Sequence, residues 1–254
     1  MILAVDVGNT QTVLGLFTGR ELSSHWRVAT DPTLTADELR VKIGGLLGLD
    51  GLGWPDIERI VLSSVVPALT AHYEEMSVRA TGTSPLTVGP GIKTGMPIKY
   101  DNPHEVGADR IVNGIAAFEA FGGPIIIIDF GTATTLDVVD GTGAYLGGAI
   151  APGVETSAEA LFARAARLAK VDLDPPTKVI GTNTRESVQA GLLFGEAAMV
   201  DGLVRRAWGE LGGECPVVAT GGLAERMAPL CEVIGHVDPD LTLKGLMLVY
   251  QRNI

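Results

Sequence analysis

Two short stretches hold the residues best suited to handling charge. Asp6-Val7-Gly8-Asn9-Thr10-Gln11-Thr12 follows one apolar run, and Asp129-Phe130-Gly131-Thr132-Ala133-Thr134-Thr135 follows another. Both read D-x-G-x-x-x-T. Asp6, Gly8 and Thr12 match Asp129, Gly131 and Thr135 at an offset of 123 residues in a chain of 254. Glycine lets backbone approach a ligand closely, and successive N–H groups in a tight turn can cradle phosphate oxygens. Thr10 and Thr12 offer hydroxyl donors as well. A carboxylate beside such a cradle repels phosphate unless a cation lies between them, so Asp6 fits a Mg²⁺ ion held through water. Asp129 could hold a metal ion or orient a water. The plainer reading makes each carboxylate a turn cap; the duplication favours the charge-handling one and suggests nucleotide held between two related lobes.

A third group opens a helix. Asp109 in Gly107-Ala108-Asp109-Arg110 has the usual place of a carboxylate that complements a helix N-terminus. Beside it, the fork of Arg110 can grip a carboxylate or phosphate. Asp109 then suits the role of proton acceptor from a hydroxyl. His104 is a rival base that reads more simply as a loop residue making a local hydrogen bond, and His25, His72 and His236 show no chemical partner. Gly221-Gly222, after an apolar strand, offers either a simple turn or a flat seat for adenine. The patterns GxxxxGK[ST] and, after the first strand, GxGxxG are absent, which argues against P-loop and Rossmann classes.

These groups need strands and helices to position them. Apolar runs predict strands over residues 2–7, 12–17, 25–29, 60–66, 86–88 and 216–220. Helical spacing predicts helices over 35–49, 69–81, 106–121, 157–168, 187–211 (one helix or two), from 224 onward, and 243–250. Residues 89–105 form a long Gly- and Pro-rich loop, and 147–153 read as a flexible, close-packing turn. The second hairpin begins at Ile125, so the lobes divide into 1–122, with the phosphate loop and acceptor-site residues, and 123–254, with the second loop and the adenosine-side glycines. The expected class is α/β, with helices covering a central sheet.

Composition narrows the function. The chain is 46% hydrophobic and 19% charged, ample for a core and unlike a disordered chain. A formal charge of -11 opposes general nucleic-acid binding. No run approaches the roughly 18 apolar residues of a membrane span, and the first residues lack a signal-peptide pattern. Cys215 and Cys231 have no CxxC or His companions, which fits free thiols in a reducing, cytoplasmic setting.

The motifs together resemble the type III pantothenate kinases, within the superfamily of acetate kinase, sugar kinases, heat-shock chaperones and actin. The resemblance spans the chain: DVGNTQTV from residue 6, Tyr100-Asp101-Asn102-Pro103 leading into EVGADR, DFGTATT, GGAIAPG, IGTNTRESVQAG and TGGLA. The Tyr100 segment with EVGADR and the GTNT segment are the more family-specific. The resemblance implies two ribonuclease-H-like lobes related by duplication, with nucleotide in the interlobe cleft. ATP would phosphorylate the primary hydroxyl of pantothenate to 4′-phosphopantothenate, opening coenzyme A synthesis. Asp6, Val7, Gly8, Asn9, Thr10, Gln11, Thr12 and Val13 would line the ATP phosphates with Thr132. Asp109 would take the proton. Tyr100, Gly107, Ala108, Asp109, Arg110 and Thr184 would contact pantothenate. Asp129 would bind a monovalent cation, K⁺ or NH₄⁺. A homodimer is implied, with its interface expected on residues 187–211, where Gly191, Gly195, Ala197 and Ala198 permit close approach and Leu192, Leu193, Phe194 and Met199 supply apolar area. A related kinase or phosphatase acting on another small molecule, and a non-catalytic relative, are the alternative classes; the intact Asp6, Asp109, Arg110 and Asp129 count against the second.

Overall fold

The computed structural model describes residues 1–165 and 170–254. In chain order the first elements are β1 (Ile2–Val7), β2 (Gln11–Thr18), β3 (Glu21–Ala29), α1 (Ala36–Leu49), β4 (Arg59–Ser64), α2 (Pro67–Thr81), β5 (Leu86–Thr87) and α3 (Ala108–Phe121). Then come β6 (Ile125–Phe130), β7 (Ala133–Val139), β8 (Tyr145–Pro152), α4 (Val154–Arg164), α5 (Thr184–Leu211), β9 (Val217–Thr220), α6 (Ala224–Met227), β10 (His236–Val237) and α7 (Leu241–Gln251). Each copy therefore runs three strands, helix, strand, helix, strand, helix, with α4 as an addition in the second. Residues 166–168, where the expected helix 157–168 would have ended, lie outside the described residues.

Two compact units result. The first holds residues 1–96, 101–116 and 241–254; the second holds 97–100 and 117–240. The division is not a single cut along the chain, because α7 belongs with the first unit. Each unit has a five-stranded mixed sheet flanked by helices, in the order β3-β2-β1-β4-β5 or β10-β9-β6-β7-β8. Read from the β3 and β8 edges, the two orders correspond strand for strand: two antiparallel pairings, then two parallel ones.

Packing follows the alternation of side chains along the strands. In the first unit Leu3, Val5, Val7, Leu14 and Leu16 share one sheet face with Leu39, Ile43 and Leu47 of α1 and Leu69, Tyr73 and Met76 of α2. Thr35 caps α1 in a reciprocal box with Glu38, and Pro67 starts α2 where its missing N–H costs nothing. Helix α7 meets α3 almost backbone to backbone, since a Cβ on Gly245 would stand 2.1 Å from the Val112 carbonyl oxygen. Thr242 Oγ1 donates to Asn113 Oδ1 at 2.7 Å, tying α7 to α3, the helix with Asp109 in its first turn. In the second unit Ile125 to Ile128 are all 0% exposed, as a covered central strand requires.

Some expectations change, and one left open is settled. Residues 147–153 are not a flexible turn but most of the edge strand β8. Their glycines serve close strand approach: a Cβ on Gly148 would lie 1.7 Å from the Leu136 carbonyl oxygen. Helix α5 is one helix, starting at Thr184 because Asn183 accepts from Glu186 N. It is also long and apolar enough to cross a membrane by length and composition alone. A search for unbroken apolar runs misses this because the helix mixes small and charged residues into an apolar average. Its Leu193, Ala197, Val200 and Val204 pack in the second unit's core. Leu193 and Ala197 therefore cannot supply interface area to another chain.

Candidate functional site

In the first unit the β1–β2 turn carries the residues that the sequence reading gave to phosphate. Gly8 N donates to Gln11 O at 3.0 Å, and Asn9, Thr10 and Gln11 are exposed at the tip. Strand β3 holds the turn from the side. Thr30 Oγ1 donates to Gly8 O at 2.8 Å, and Thr30 N donates to Thr10 O at 2.9 Å. Thr12 is 1% exposed and its hydroxyl lies 2.9 Å from that of Thr30. Its side chain also meets buried Tyr73, whose phenol burial pushes up from its ordinary range. Thr12 thus anchors the turn from inside, and Val7 belongs to the core. Asp6 is half-buried at the end of β1, and Val13 is half-buried opposite it on β2.

The second hairpin is built on the same plan with a shorter turn. Gly131 N donates to Ala133 O at 3.1 Å, so two residues bridge the strands where the first hairpin uses three. The pairing register shows the consequence. Val7 pairs with Thr12, while Phe130 pairs with Thr134. The structural counterpart of Thr12 is therefore Thr134 and not Thr135; the constant offset of the motif breaks inside the turn. Thr132 is exposed, and its carbonyl accepts from Gly153 N at 3.1 Å and Thr156 Oγ1 at 2.7 Å.

The carboxylates sit in matching rows. Directly paired residues share a sheet face, giving Ser63, Asp6, Val13 and Arg27 in the first unit and Thr220, Asp129, Thr135 and Ile150 in the second. In both rows the hydroxyl beside the carboxylate, Ser63 or Thr220, is buried without a hydrogen-bond partner among the described residues. A buried orphan oxygen next to a carboxylate suits cation coordination, and hydroxyl plus carboxylate oxygen is the donor set of a hard cation. The described residues contain no cluster of three His, Cys, Asp or Glu side chains that could hold a metal. Any ion at these rows would therefore share its ligands with substrate or water.

Gly221 belongs to this arrangement. It closes β9 at φ +95°, and a Cβ there would stand 2.3 Å from Asp129 Oδ1. Only glycine serves both the left-handed backbone and the space that the carboxylate needs. Gly222 is exposed beside it.

Asp109 stands in the first turn of α3, where its Oδ1 accepts from Arg110 N at 2.8 Å. Gly107 makes room, since a Cβ there would meet Asp109 Oδ1 at 2.4 Å. Burial raises the Asp109 carboxyl above the ordinary range, against the lowering by the Arg110 N–H and guanidinium. Arg110 is 8% exposed and Ala108 half-buried. His104 is exposed in a short 3-10 turn, where its backbone N–H donates to Asn102 Oδ1.

Tyr100 and Thr184 belong to the second unit. Around Tyr100 the structure adds residues that sequence reasoning missed. Its ring lies 6.4 Å from that of Tyr145, whose hydroxyl donates to buried Asp137 at 2.7 Å. Thr135 Oγ1 donates to the other oxygen of Asp137 at 3.0 Å. Backbone bonds from Lys99 N to Tyr145 O and from Tyr145 N to Pro97 O fix the segment that carries Tyr100. The one sequence signal was the polar residue inside the apolar stretch of β7. Thr184 is exposed at the head of α5, on an open groove of 680 Å³ lined by residues that include Leu161, Thr182, Ser187, Val188 and Leu192.

The thiols are free and half-buried. Burial and the charges of Asp201 and Glu196 push Cys231 up to about 12, so it carries no nucleophile at neutral pH.

Comparisons with known proteins agree with this architecture. Residues 2–206 match the family described as type III pantothenate kinase. The chain is 53% identical to the type III pantothenate kinase of Moorella thermoacetica, with 100% of both chains covered. It is 51% identical to that of Geobacter sulfurreducens, covering 100% of this chain and 99% of the relative. Among solved structures, a conserved Baf family protein from Campylobacter jejuni superposes at TM-score 0.64 with 17% identity, over 99% and 98% of the two chains. Component A of (R)-2-hydroxyglutaryl-CoA dehydratase from Acidaminococcus fermentans does so at 0.57 with 16% identity, over 98% and 96%. Those two likenesses concern the fold alone.

Proposed function

The chain belongs to the type III pantothenate kinase family, and from that premise we infer that it transfers the γ-phosphoryl group of ATP to the primary hydroxyl of pantothenate. The product is 4′-phosphopantothenate, and the step is the first of coenzyme A synthesis. The observation that carries this reading is identity above 50% over the whole length of kinases of one named activity.

In this reading the nucleotide phosphates meet the exposed N–H and hydroxyl groups of Asn9, Thr10 and Gln11, with Asp6, Gly8 and Thr132 beside them. Val7, Thr12 and Val13 shape the turn. Gly222 lies on the adenosine side. Tyr100, Gly107, Ala108, Arg110 and Thr184 bind pantothenate. Asp109 accepts the proton of the pantothenate hydroxyl as its oxygen bonds to the γ-phosphorus and the bond to the β-γ bridging oxygen breaks, leaving ADP. Its raised pKa supports this role, because a base works best when its pKa lies close to working pH. Asp129 and Thr220 fit a monovalent cation, and Asp6 and Ser63 fit Mg²⁺ through water. When bound, these cations supply positive charge against the phosphates. Positioning and charge account for most of the acceleration in this class of reaction.

The proposed assembly is a homodimer formed through the open side of α5. Gly191, Gly195 and Ala198 are exposed there, flanked by half-buried Leu192, Phe194 and Met199. The free thiols and the place of the reaction in metabolism fit the cytoplasm. No nucleic acid or membrane takes part in the proposed reaction. A coupled kinase assay over a panel of small hydroxy compounds tests the function. ATP consumption should depend strictly on pantothenate; equal consumption with another acceptor, or none with any, would reject the reading.

A further inference from the structure

The residues assigned above to the ATP phosphates include no lysine or arginine, yet a phosphate chain is best held by charge-assisted donors. The sheet places one beside them. Asp6 pairs with Val13, and Val13 pairs with Arg27, so Arg27 projects from the same face as Asp6 at a distance of two strands, about 10 Å at ordinary strand spacing. The Arg27 side chain is exposed, and its Nη1 donates to Gln11 Oε1 at 2.9 Å. Gln11 is the residue whose carbonyl closes the Gly8 turn. An amide is a neutral acceptor, so it orients the guanidinium without neutralising it and leaves other N–H donors available.

Other cations of the first unit are differently engaged. Arg110 is buried, Lys42 Nζ donates to Ala29 O, and Arg79 is paired with Asp37 and Glu75. Arg27 alone among these combines exposure, the Asp6 face and an amide tether at the turn. The plain alternative is a solvated surface arginine with an incidental amide contact.

We propose that Arg27 binds a phosphate of the nucleotide at the Gly8–Gln11 turn, with Gln11 holding its guanidinium in place. This inference rests on the kinase reading. The test is calorimetric binding of ATP and of adenosine to wild type, Arg27→Gln, Arg27→Lys and Gln11→Ala. A charged hydrogen bond of ordinary strength corresponds to a loss of roughly 10- to 100-fold. Arg27→Gln should lose ATP affinity by about that factor and keep adenosine affinity. Arg27→Lys should recover part of it, since the charge stays while the fork is lost. Gln11→Ala should fall between Arg27→Gln and wild type. The KM for pantothenate should be unchanged in all three variants. ATP affinity equal to wild type, or equal losses for ATP and adenosine, would overturn the assignment; the second outcome would mean a distorted hairpin. Should Arg27→Gln fail to fold, Arg27→Lys and Gln11→Ala decide the question by the same comparison. A wild-type protein that binds no ATP would instead remove the kinase reading itself.

Discussion

The two hairpins share strand order, pairing and the position of their carboxylates, yet they differ in turn length and in the end of each row. The Asp6 row runs from Ser63 through Val13 to Arg27, whereas the Asp129 row runs from Thr220 through Thr135 to Ile150. The first turn has three residues, Gly8 to Thr10, and exposes Asn9 and Thr10 with Gln11 next to them; the second has two, Gly131 and Thr132, and exposes Thr132. One row ends on a cation beside an open turn, which suits an anion. The other surrounds its carboxylate with hydroxyls, which suits a cation. A duplicated scaffold can thus keep its backbone and diverge in charge, because one side chain per strand decides what the row attracts.

On this account neither hairpin moves the acceptor proton, and that separation gives the largest predicted effect. Asp109→Asn keeps size but cannot accept the proton, so turnover should fall by roughly 10²–10⁴-fold. The folded protein should not melt earlier. The Asp109 pKa is raised on folding, so its ionised form costs stability as pH rises through that range, and the amide removes the cost. Wild-type turnover in this variant would move proton acceptance elsewhere. For the same reason kcat should fall as pH drops through a pKa above the ordinary aspartate value, since only ionised Asp109 accepts a proton.

The comparison itself is sharpened by parallel substitutions. Asp129→Asn should abolish stimulation by K⁺ and lower the rate about 10-fold or more, whereas Asp6→Asn should leave K⁺ stimulation in place and weaken Mg-ATP. Titrations of rate against each cation decide this. Identical cation profiles for the two variants would erase the difference between the rows.

Smaller effects probe the supports. Tyr145→Phe removes the hydroxyl that donates to buried Asp137, at a cost of about 1–3 kcal/mol in denaturant unfolding. It should also raise the KM for pantothenate through Tyr100 and leave that for ATP unchanged. Thr35→Ala, outside both rows, should cost about 1 kcal/mol through the lost cap and nothing in kcat/KM.

Much of this was legible in the residues because the signals were local. Apolar strands and the D-x-G turns follow from neighbours in sequence, and they marked both hairpins. The rest depended on pairing. That Thr134, not Thr135, matches Thr12 follows from a turn one residue shorter, which an ungapped motif cannot show. Gly148 looked like flexibility because its partner, the Leu136 carbonyl, lies across a strand pair. Helix α7 joins the first unit through Gly245 and Val112, a contact spanning more than half the chain. Asp137 and Tyr145 carry no motif, and only the pairing of β7 with the edge strand brings them together.

The most direct measurement of the central claim is the rate of phosphoryl transfer from ATP to pantothenate by the purified protein, with potassium alternately present and replaced by an inert organic cation. The account predicts 4′-phosphopantothenate formed in step with ADP, and a marked fall in rate when potassium is removed. Transfer that proceeds equally well in rigorously potassium- and ammonium-free buffer would contradict the role given to the Asp129 row, and ADP release without phosphorylated pantothenate would contradict the function.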